Sequence, residues 1–250
     1  MIKRITRSLL SSHHSKPLLC LGLLLIGVPS GASAQTMMSD WLPSITLNNL
    51  QNQVLWAPYQ ETKKNQQNPT SAPPQPVANP VALRFTFDPV LRKTVVNEFA
   101  TVMNGHDPAT PLGRFFASDP IGAEHKRMVA LGLSPNNLGD VMTMFIASNW
   151  AFARGQAARP SRATMLAFRA QVGGSFATTP SLSKMSNAAK QRQADSALLL
   201  IAITAGVIEG ARDNPKELKN AAASASQTLK NIGLDSAQFE LTPQGMSAAE

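Results

Sequence analysis

The chain has 250 residues, with 23 Lys and Arg, 15 Asp and Glu and a single cysteine, and its formal net charge is +8. No Lys/Arg run and no alternation of aromatic and basic residues accompanies this charge, which argues against a nucleic-acid-binding protein. With Cys20 as the only thiol, neither a disulfide framework nor a thiolate metal site stabilises the fold.

The first 34 residues have the pattern of a secretory signal peptide. A basic head precedes an apolar segment at 17–28, and Ala32-Ser33-Ala34 has the small residues of a cleavage site. The apolar segment is shorter than the roughly 20 residues that cross a bilayer. We therefore predict export to the periplasm or the medium. The mature chain would begin at Gln35, carry 19 basic and 15 acidic residues and contain no transmembrane segment.

Residues 35–82 change character and are rich in Gln, Asn, Pro, Thr and Ser. Such a composition buries too little apolar surface to offset the entropy of ordering the chain. We predict a disordered leader, in which the isolated aromatic residues Trp41 and Trp56 could dock on the domain or on a partner.

The segment after the leader predicts a helical domain over residues 83–241. Residues 83–87 and 239–241 alternate apolar and polar side chains, so we expect a weak two-stranded pairing between the two ends of the domain. Asp88 and Pro89 have the types of an N-cap and a first helical residue, and an apolar stripe follows them as far as Asn104-Gly105.

Further helices follow at intervals set by Pro and Gly. The predicted second helix ends at Gly132, the fourth is loosened at Gly173-Gly174, and the third is apolar on nearly every side. The expected ranges of the second to sixth helices are 119–132, 136–154, 161–174, 181–212 or 187–212, and 215–232. We therefore predict an all-α fold, a single bundle of five or six helices around the third and fifth, followed by a flexible tail at 242–250.

Three motifs resemble an uncharacterised family of exported bacterial proteins of about this length: FTFDP at 85–89, GLSPNNLGD at 132–140, and NWA at 149–151 closing on Gly155. The resemblance covers roughly residues 83–239. It implies a helical extracytoplasmic domain, and it implies no activity, cofactor or site.

Two histidines, His106 and His125, stand beside Asp107 and Glu124, which raises the question of a two-histidine, carboxylate metal site. Nineteen residues of turn-rich chain separate the histidines, and no H-x-x-x-H or H-E-x-x-H motif is present. We therefore favour surface positions for both and predict no metal and no cofactor.

Asp140 and Asn149 lie on the predicted central helix, where polar groups are costly unless they are paired. We expect them to hydrogen-bond neighbouring helix ends or the corner at 134–137, and we keep Asp140 and Glu98 as candidate catalytic acids of an alternative function, a cell-wall glycan hydrolase. Asp195 and Glu209 are excluded as a catalytic pair, because 14 residues of one helix span about 21 Å.

Glu98 has a second interpretation, a helix-edge salt bridge to Arg92 or Lys93. Four arginines, Arg154, Arg159, Arg162 and Arg169, form a local run without an intervening acid. They predict either a weak anion-binding face or a solvated surface near a helix C-terminus.

The sequence thus favours an exported, non-enzymatic binding or interaction module of the bacterial envelope. Its partner would be an unknown protein or an anionic envelope polymer.

Overall fold

The computed structural model describes residues 80–178 and 184–249. The predicted signal peptide at 1–34 and the predicted leader up to residue 79 lie outside the described residues.

Within the described residues the chain forms seven α-helices and one two-stranded sheet, after a short 3₁₀ helix at Pro80–Leu83. The elements are α1 Pro89–Val102, α2 Pro111–Ala117, α3 Pro120–Ala130, α4 Leu138–Phe152, α5 Arg162–Thr178, α6 Asn187–Gly210, α7 Pro215–Asn231, β1 Phe239–Thr242 and β2 Gly245–Ala248. The predicted all-α class is confirmed.

Four of the helices begin with the same local chemistry. A proline occupies the start of α1, α2, α3 and α7, and the preceding side chain accepts a backbone N–H of the first turn. These N-caps are Asp88, Thr110, Asp119 and Asn214. Proline lacks the N–H that a first helical turn would leave unpaired, so the pattern marks the start of each helix in the sequence itself.

Helices α4 and α6 form the centre of the bundle. Every residue of α4 is buried, and α4 packs against α5, α6 and α7. Helix α6 contacts α1, α3, α4 and α7. Burial of side chains such as Phe145 and Phe152 contributes about 2–3 kcal/mol each, so this pair of helices supplies much of the apolar driving force.

Helix α6 is long and apolar enough to cross a membrane by length and composition. However, 67% of the relevant window is buried inside the bundle. The core helix of a folded domain meets the same criteria, so this property is weak evidence for a membrane span.

The predicted pairing of 83–87 with 239–241 is wrong. Strand β1 pairs with β2 in an antiparallel hairpin, in which Phe239 lies opposite Ala248 and Thr242 opposite Gly245. The entry segment pairs elsewhere, since the Phe85 N–H donates to the Asn136 carbonyl at 3.1 Å. A hairpin closes a loop of two residues, whereas the predicted pairing closes one of about 150 at a larger entropy cost.

Two expected boundaries also differ. The tail at 242–250 contributes strand β2 instead of remaining free of structure, and it is held by Gln171, whose side-chain oxygen accepts the Met246 N–H at 2.6 Å. Helix α5 continues through Gly173 as far as Thr178, because a glycine weakens a packed helix without ending it. Helix α2 raises the number of helices above the expected five or six.

Candidate functional site

A groove opens between α3, α6 and the connection from α4 to α5. Its volume is about 540 Å³. Small and apolar residues form most of its walls: Phe115, Pro120, Ala123, Ala157, Ala158, Ala202, Ala205 and Gly206. The polar and charged lining residues are Ser118, Glu124, Arg127, Glu209 and Arg212.

Glu124 supplies the buried carboxylate of this groove. Glu124 is 2% exposed, although helix α3 has several solvent-facing positions. Its Oε1 accepts hydrogen bonds from Arg159 Nη2 at 2.9 Å and from Arg127 Nη1 at 3.3 Å. The Arg159 side chain is 10% exposed and that of Arg127 is 54% exposed, so one guanidinium is buried with the carboxylate and the other reaches the solvent.

Local backbone geometry places the two partners of this ion pair. Helix α3 starts at Asp119, which has a positive φ of 54° and accepts the Gly122 N–H at 3.0 Å. Arg159 follows the end of α4, where Gly155 turns the chain with a φ of 69°. The guanidinium of Arg159 then lies 5.9 Å from the centre of the Phe152 ring.

The electrostatics of the pair follow from its burial. Burial raises the pKa of Glu124, and the charges of Arg159 and Arg127 oppose this effect. Burial also lowers the pKa of Arg159, which Glu124 opposes. Among the described residues, Glu124 Oε2 and Arg159 Nε have no hydrogen-bond partner, so the pair keeps one free acceptor and one free donor.

A second cavity of about 300 Å³ continues the groove towards α7. The two cavities share Ala157, Ala158, Glu209 and Arg212. Glu209 and Arg212 form an exposed ion pair, with 2.6 Å between Oε2 and Nη2. The result is an elongated groove with a buried charge at one end and an exposed ion pair along its rim.

A separate polar network joins α1, α3 and α6. Arg92 donates to Asp195 Oδ1 at 3.2 Å and contacts His125 Nε2 at 2.9 Å. Because a guanidinium only donates, we assign Nε2 as the acceptor and place the imidazole proton on Nδ1. Burial, followed by the charge of Arg92, lowers the pKa of His125 to about 4.

Asp195 completes this network at the core. Burial raises its pKa, while Arg92 and the side-chain amide of Gln191 act in the opposite direction. Both carboxylate oxygens are bonded, since Gln191 Nε2 donates to Oδ2 at 3.1 Å. The network is closed within the protein and stabilises the junction of three helices.

Of the two polar residues predicted on the central helix, Asp140 lies at a structural junction. It accepts the Ser134 N–H at 2.8 Å and bonds Arg169 Nε at 2.6 Å, so it connects the corner before α4 with α5. Asn149 instead bonds within its own helix, where it donates to the Phe145 carbonyl at 2.9 Å. Both residues are buried.

Glu98 pairs with neither Arg92 nor Lys93. It forms an ion pair with Arg192 of α6 at 2.5 Å, and both side chains are nearly half-exposed. Neither Glu98 nor Asp140 lines the groove. Their assignment as catalytic acids stays a prediction.

The four arginines do not lie together as four unpaired charges. Arg154 bonds Glu240 at 2.6 Å and stacks on Trp150 at 4.0 Å, Arg159 pairs with Glu124, and Arg169 pairs with Asp140. Arg162 is exposed at the start of α5. Arg159 differs from its expected surface position, because its side chain is 10% exposed and pairs with the buried carboxylate of Glu124.

The expected surface position holds for His106, which is exposed and whose Nε2 lies 2.9 Å from the hydroxyl of Thr101, and it is wrong for His125, which is partly buried and contacts Arg92. In the part of the chain that the structure describes, no three His, Cys, Asp or Glu side chains form a group that could hold a metal ion.

Sequence reasoning missed the role of Glu124. A signal was present in α6, where Ala202, Ala205 and Gly206 repeat at helical spacing and expose a stripe of small residues. Such a stripe indicates a close approach or a groove, but only the fold shows which charged residue faces it.

Comparisons with curated proteins and with solved structures give no match. A family model, described as Family of unknown function (DUF6683), matches residues 14–249. This range includes all seven described helices and both strands of the hairpin. The chain therefore belongs to this family of unknown function.

Proposed function

We propose that this protein is an exported, non-catalytic binding protein that holds a small amphipathic molecule in the groove beside Glu124. The observation that carries the proposal is a carboxylate that is 2% exposed, lines an open apolar groove and keeps one oxygen without a partner among the described residues.

An unpaired polar atom in a buried position is expensive. Leaving a donor or acceptor unsatisfied costs about 1–3 kcal/mol, and more for a charged group. Glu124 Oε2 and Arg159 Nε are both buried from solvent, so the polar end of a ligand would recover part of this free energy only after a small shift of these side chains. The groove volume of about 540 Å³ falls within the roughly 300–1,000 Å³ of small-molecule sites.

The hydrolase alternative has less support. Glycosidases use two carboxyl groups that flank the scissile bond, separated by roughly 5–9.5 Å. Each candidate acid is held by an arginine, Glu98 by Arg192 and Asp140 by Arg169, and the groove contains neither acid. The groove itself presents a carboxylate that is already bonded to two guanidinium groups, which suits binding better than acid catalysis.

Export rests on the pattern of the first 34 residues. Fractionation of expressing cells, followed by N-terminal sequencing, tests it. We expect an extracytoplasmic protein that begins at Gln35, and a cytoplasmic protein that retains residues 1–34 would refute export.

The neutral probe N-phenyl-1-naphthylamine, whose fluorescence rises in apolar surroundings, tests the groove. Ala205 lines the groove and is only partly buried, so Ala205→Phe should fill it and reduce the fluorescence at least tenfold. Ala223→Phe adds the same ring on the exposed face of α7 and is the matched control. Equal fluorescence in the two variants would refute binding in the groove.

A further inference from the structure

We infer that the groove selects a ligand with a carboxylate at one end and an unbranched apolar chain behind it. This inference rests on the proposed function, because it specifies the chemistry of the molecule that the groove holds.

The charges at the polar end favour an anion. Two guanidinium groups, those of Arg127 and Arg159, face the single carboxylate of Glu124. Arg159 is not itself a lining residue, and the remaining charged residues of the lining, Glu209 and Arg212, neutralise each other across 2.6 Å. The polar end therefore carries one positive charge in excess, in a partly enclosed site where screening by salt is weaker than on an open surface.

Arg127 has further N–H groups that can donate to such an anion. Only one of its N–H groups reaches Glu124, through Nη1 at 3.3 Å, and its side chain is 54% exposed. A guanidinium has five N–H donors in a planar fork that matches a carboxylate. Arg127 can therefore bond a ligand carboxylate while it keeps its contact with Glu124.

The free acceptor of Glu124 is compatible with this arrangement. Burial raises the pKa of Glu124, and a second carboxylate nearby would raise it further. A raised pKa lessens the repulsion between the Glu124 carboxyl group and a ligand carboxylate. An ammonium group, by contrast, would approach a carboxylate that is already shared by two guanidinium groups.

The groove continues as an apolar channel away from this charge. The second cavity adds about 300 Å³ and is lined by Leu218, Ile208 and the shared alanines, with Gly155, Gln156 and the exposed pair of Glu209 and Arg212 completing its lining. Each CH₂ group that a ligand buries against the apolar residues contributes about 0.8 kcal/mol. The added volume therefore favours a medium-chain carboxylate over a short one.

Displacement of N-phenyl-1-naphthylamine from the full chain by four small molecules tests the inference. Octanoate is the carboxylate probe. Octan-1-ol keeps the chain without the charge, octylamine reverses the charge, and acetate keeps the charge without the long chain. We expect octanoate to bind at least tenfold more tightly than each of the other three. Arg127→Gln should weaken octanoate about tenfold, which is roughly 1.4 kcal/mol, and leave octan-1-ol unchanged.

Lys126→Gln is the matched control, since it removes a neighbouring exposed charge that does not line the groove. Octanol binding as tight as octanoate, or an equal effect of the two charge substitutions, would overturn the carboxylate assignment. Tighter binding of octylamine would make Glu124 the anchor and also overturn it. Failure of the fluorescent probe to bind in the groove would instead refute the proposed function itself.

Discussion

Glu124→Gln tests whether the buried ion pair stabilises the domain. The substitution preserves the shape of the side chain and removes its charge. The Arg159 side chain, which is 10% exposed, then has no carboxylate partner. Breaking a buried pair by neutralising one partner costs about 3–5 kcal/mol. Because the glutamine oxygen can still accept one hydrogen bond from Arg159, we expect the lower end, about 3 kcal/mol.

The contact with Arg127 adds little to this figure. Its side chain is 54% exposed, and pairs of this kind contribute about 0–1 kcal/mol. With a urea dependence of about 2 kcal/mol/M, a loss of 3 kcal/mol lowers the midpoint by about 1.5 M. Circular dichroism at 222 nm, which follows the helices, measures the midpoint.

The double variant Glu124→Leu/Arg159→Met separates stability from binding. Replacement of a buried pair by apolar side chains is often neutral or stabilising, so the double variant should unfold near the wild-type midpoint. Octanoate binding should nevertheless weaken, because the polar groups of Glu124 and Arg159 are removed, although the positive charge of Arg127 remains. A single variant within 1 kcal/mol of wild type, with a double variant no more stable than the single one, would refute the buried-pair argument.

Three further predictions concern the framework. Trp150→Ala should cost about 3–5 kcal/mol, because it removes a 9%-exposed ring whose indole N–H donates to the C-terminal hairpin at 3.0 Å; an unchanged melting temperature would contradict this. Gly245→Ala should lower the free energy of unfolding by about 1–3 kcal/mol, since φ is 108° and the new methyl would lie 2.5 Å from the Gln171 side chain. In the control Gly173→Ala the new methyl meets nothing within 4 Å, so this variant should be slightly more stable than wild type. The pKa of His125 in the folded protein, about 4, lies below its ordinary 6.5, so its contribution to stability is complete above about pH 6.5 and is lost as the pH falls towards 4. His125→Gln should flatten the decline of the urea midpoint between pH 6.5 and 4, and the control His106→Gln should not. Parallel curves of urea midpoint against pH for the wild type and both variants would contradict the assignment of this decline to His125.

The difference between the urea midpoints of the wild type and the His125 variant at each pH measures the contribution of His125 alone. Burial raises the pKa values of Glu124 and Asp195, so their contribution to stability changes in the opposite direction over acidic pH. Both carboxyl groups are present in the wild type and in the histidine variants, and their effect largely cancels in the comparison.

Local chemistry explains which parts of the fold were predictable. The start of α1 depends on Asp88 and Pro89, two adjacent residues, and the burial of α4 depends on a composition that is apolar on every face. The hairpin depends on a choice between partners. The alternation at Phe239 is the same in either pairing, so periodicity does not distinguish the partners, and the shorter loop of the hairpin favours β2 over residues 83–87.

The candidate site was not predictable for a related reason. Glu124 has the sequence neighbours of a surface acid, with Lys126 and Arg127 beside it. Its burial comes from Arg159, which lies 35 residues away in the chain and follows a glycine turn that no periodicity signals. The four-arginine run illustrates the same point, since Arg154, Arg159 and Arg169 each bond a carboxylate on a distant segment.

A contribution to stability does not by itself explain why a charged pair, Glu124 with Arg159, occupies a buried position. A domain of this size gains its stability from the apolar packing around α4 and α6, and an apolar replacement of Glu124 and Arg159 would serve the bundle as well or better. The pair leaves one oxygen and one N–H without partners and lies where the bundle opens into a groove, not where it is closed. The network of Arg92, His125 and Asp195 is also buried, yet both oxygens of its carboxylate are bonded. Within the described residues, buried atoms without a partner also occur at Ser148, Asn149 and Ser196, which line neither cavity, so the proposal of ligand binding at Glu124 rests on the combination of an unsatisfied pair with an open groove.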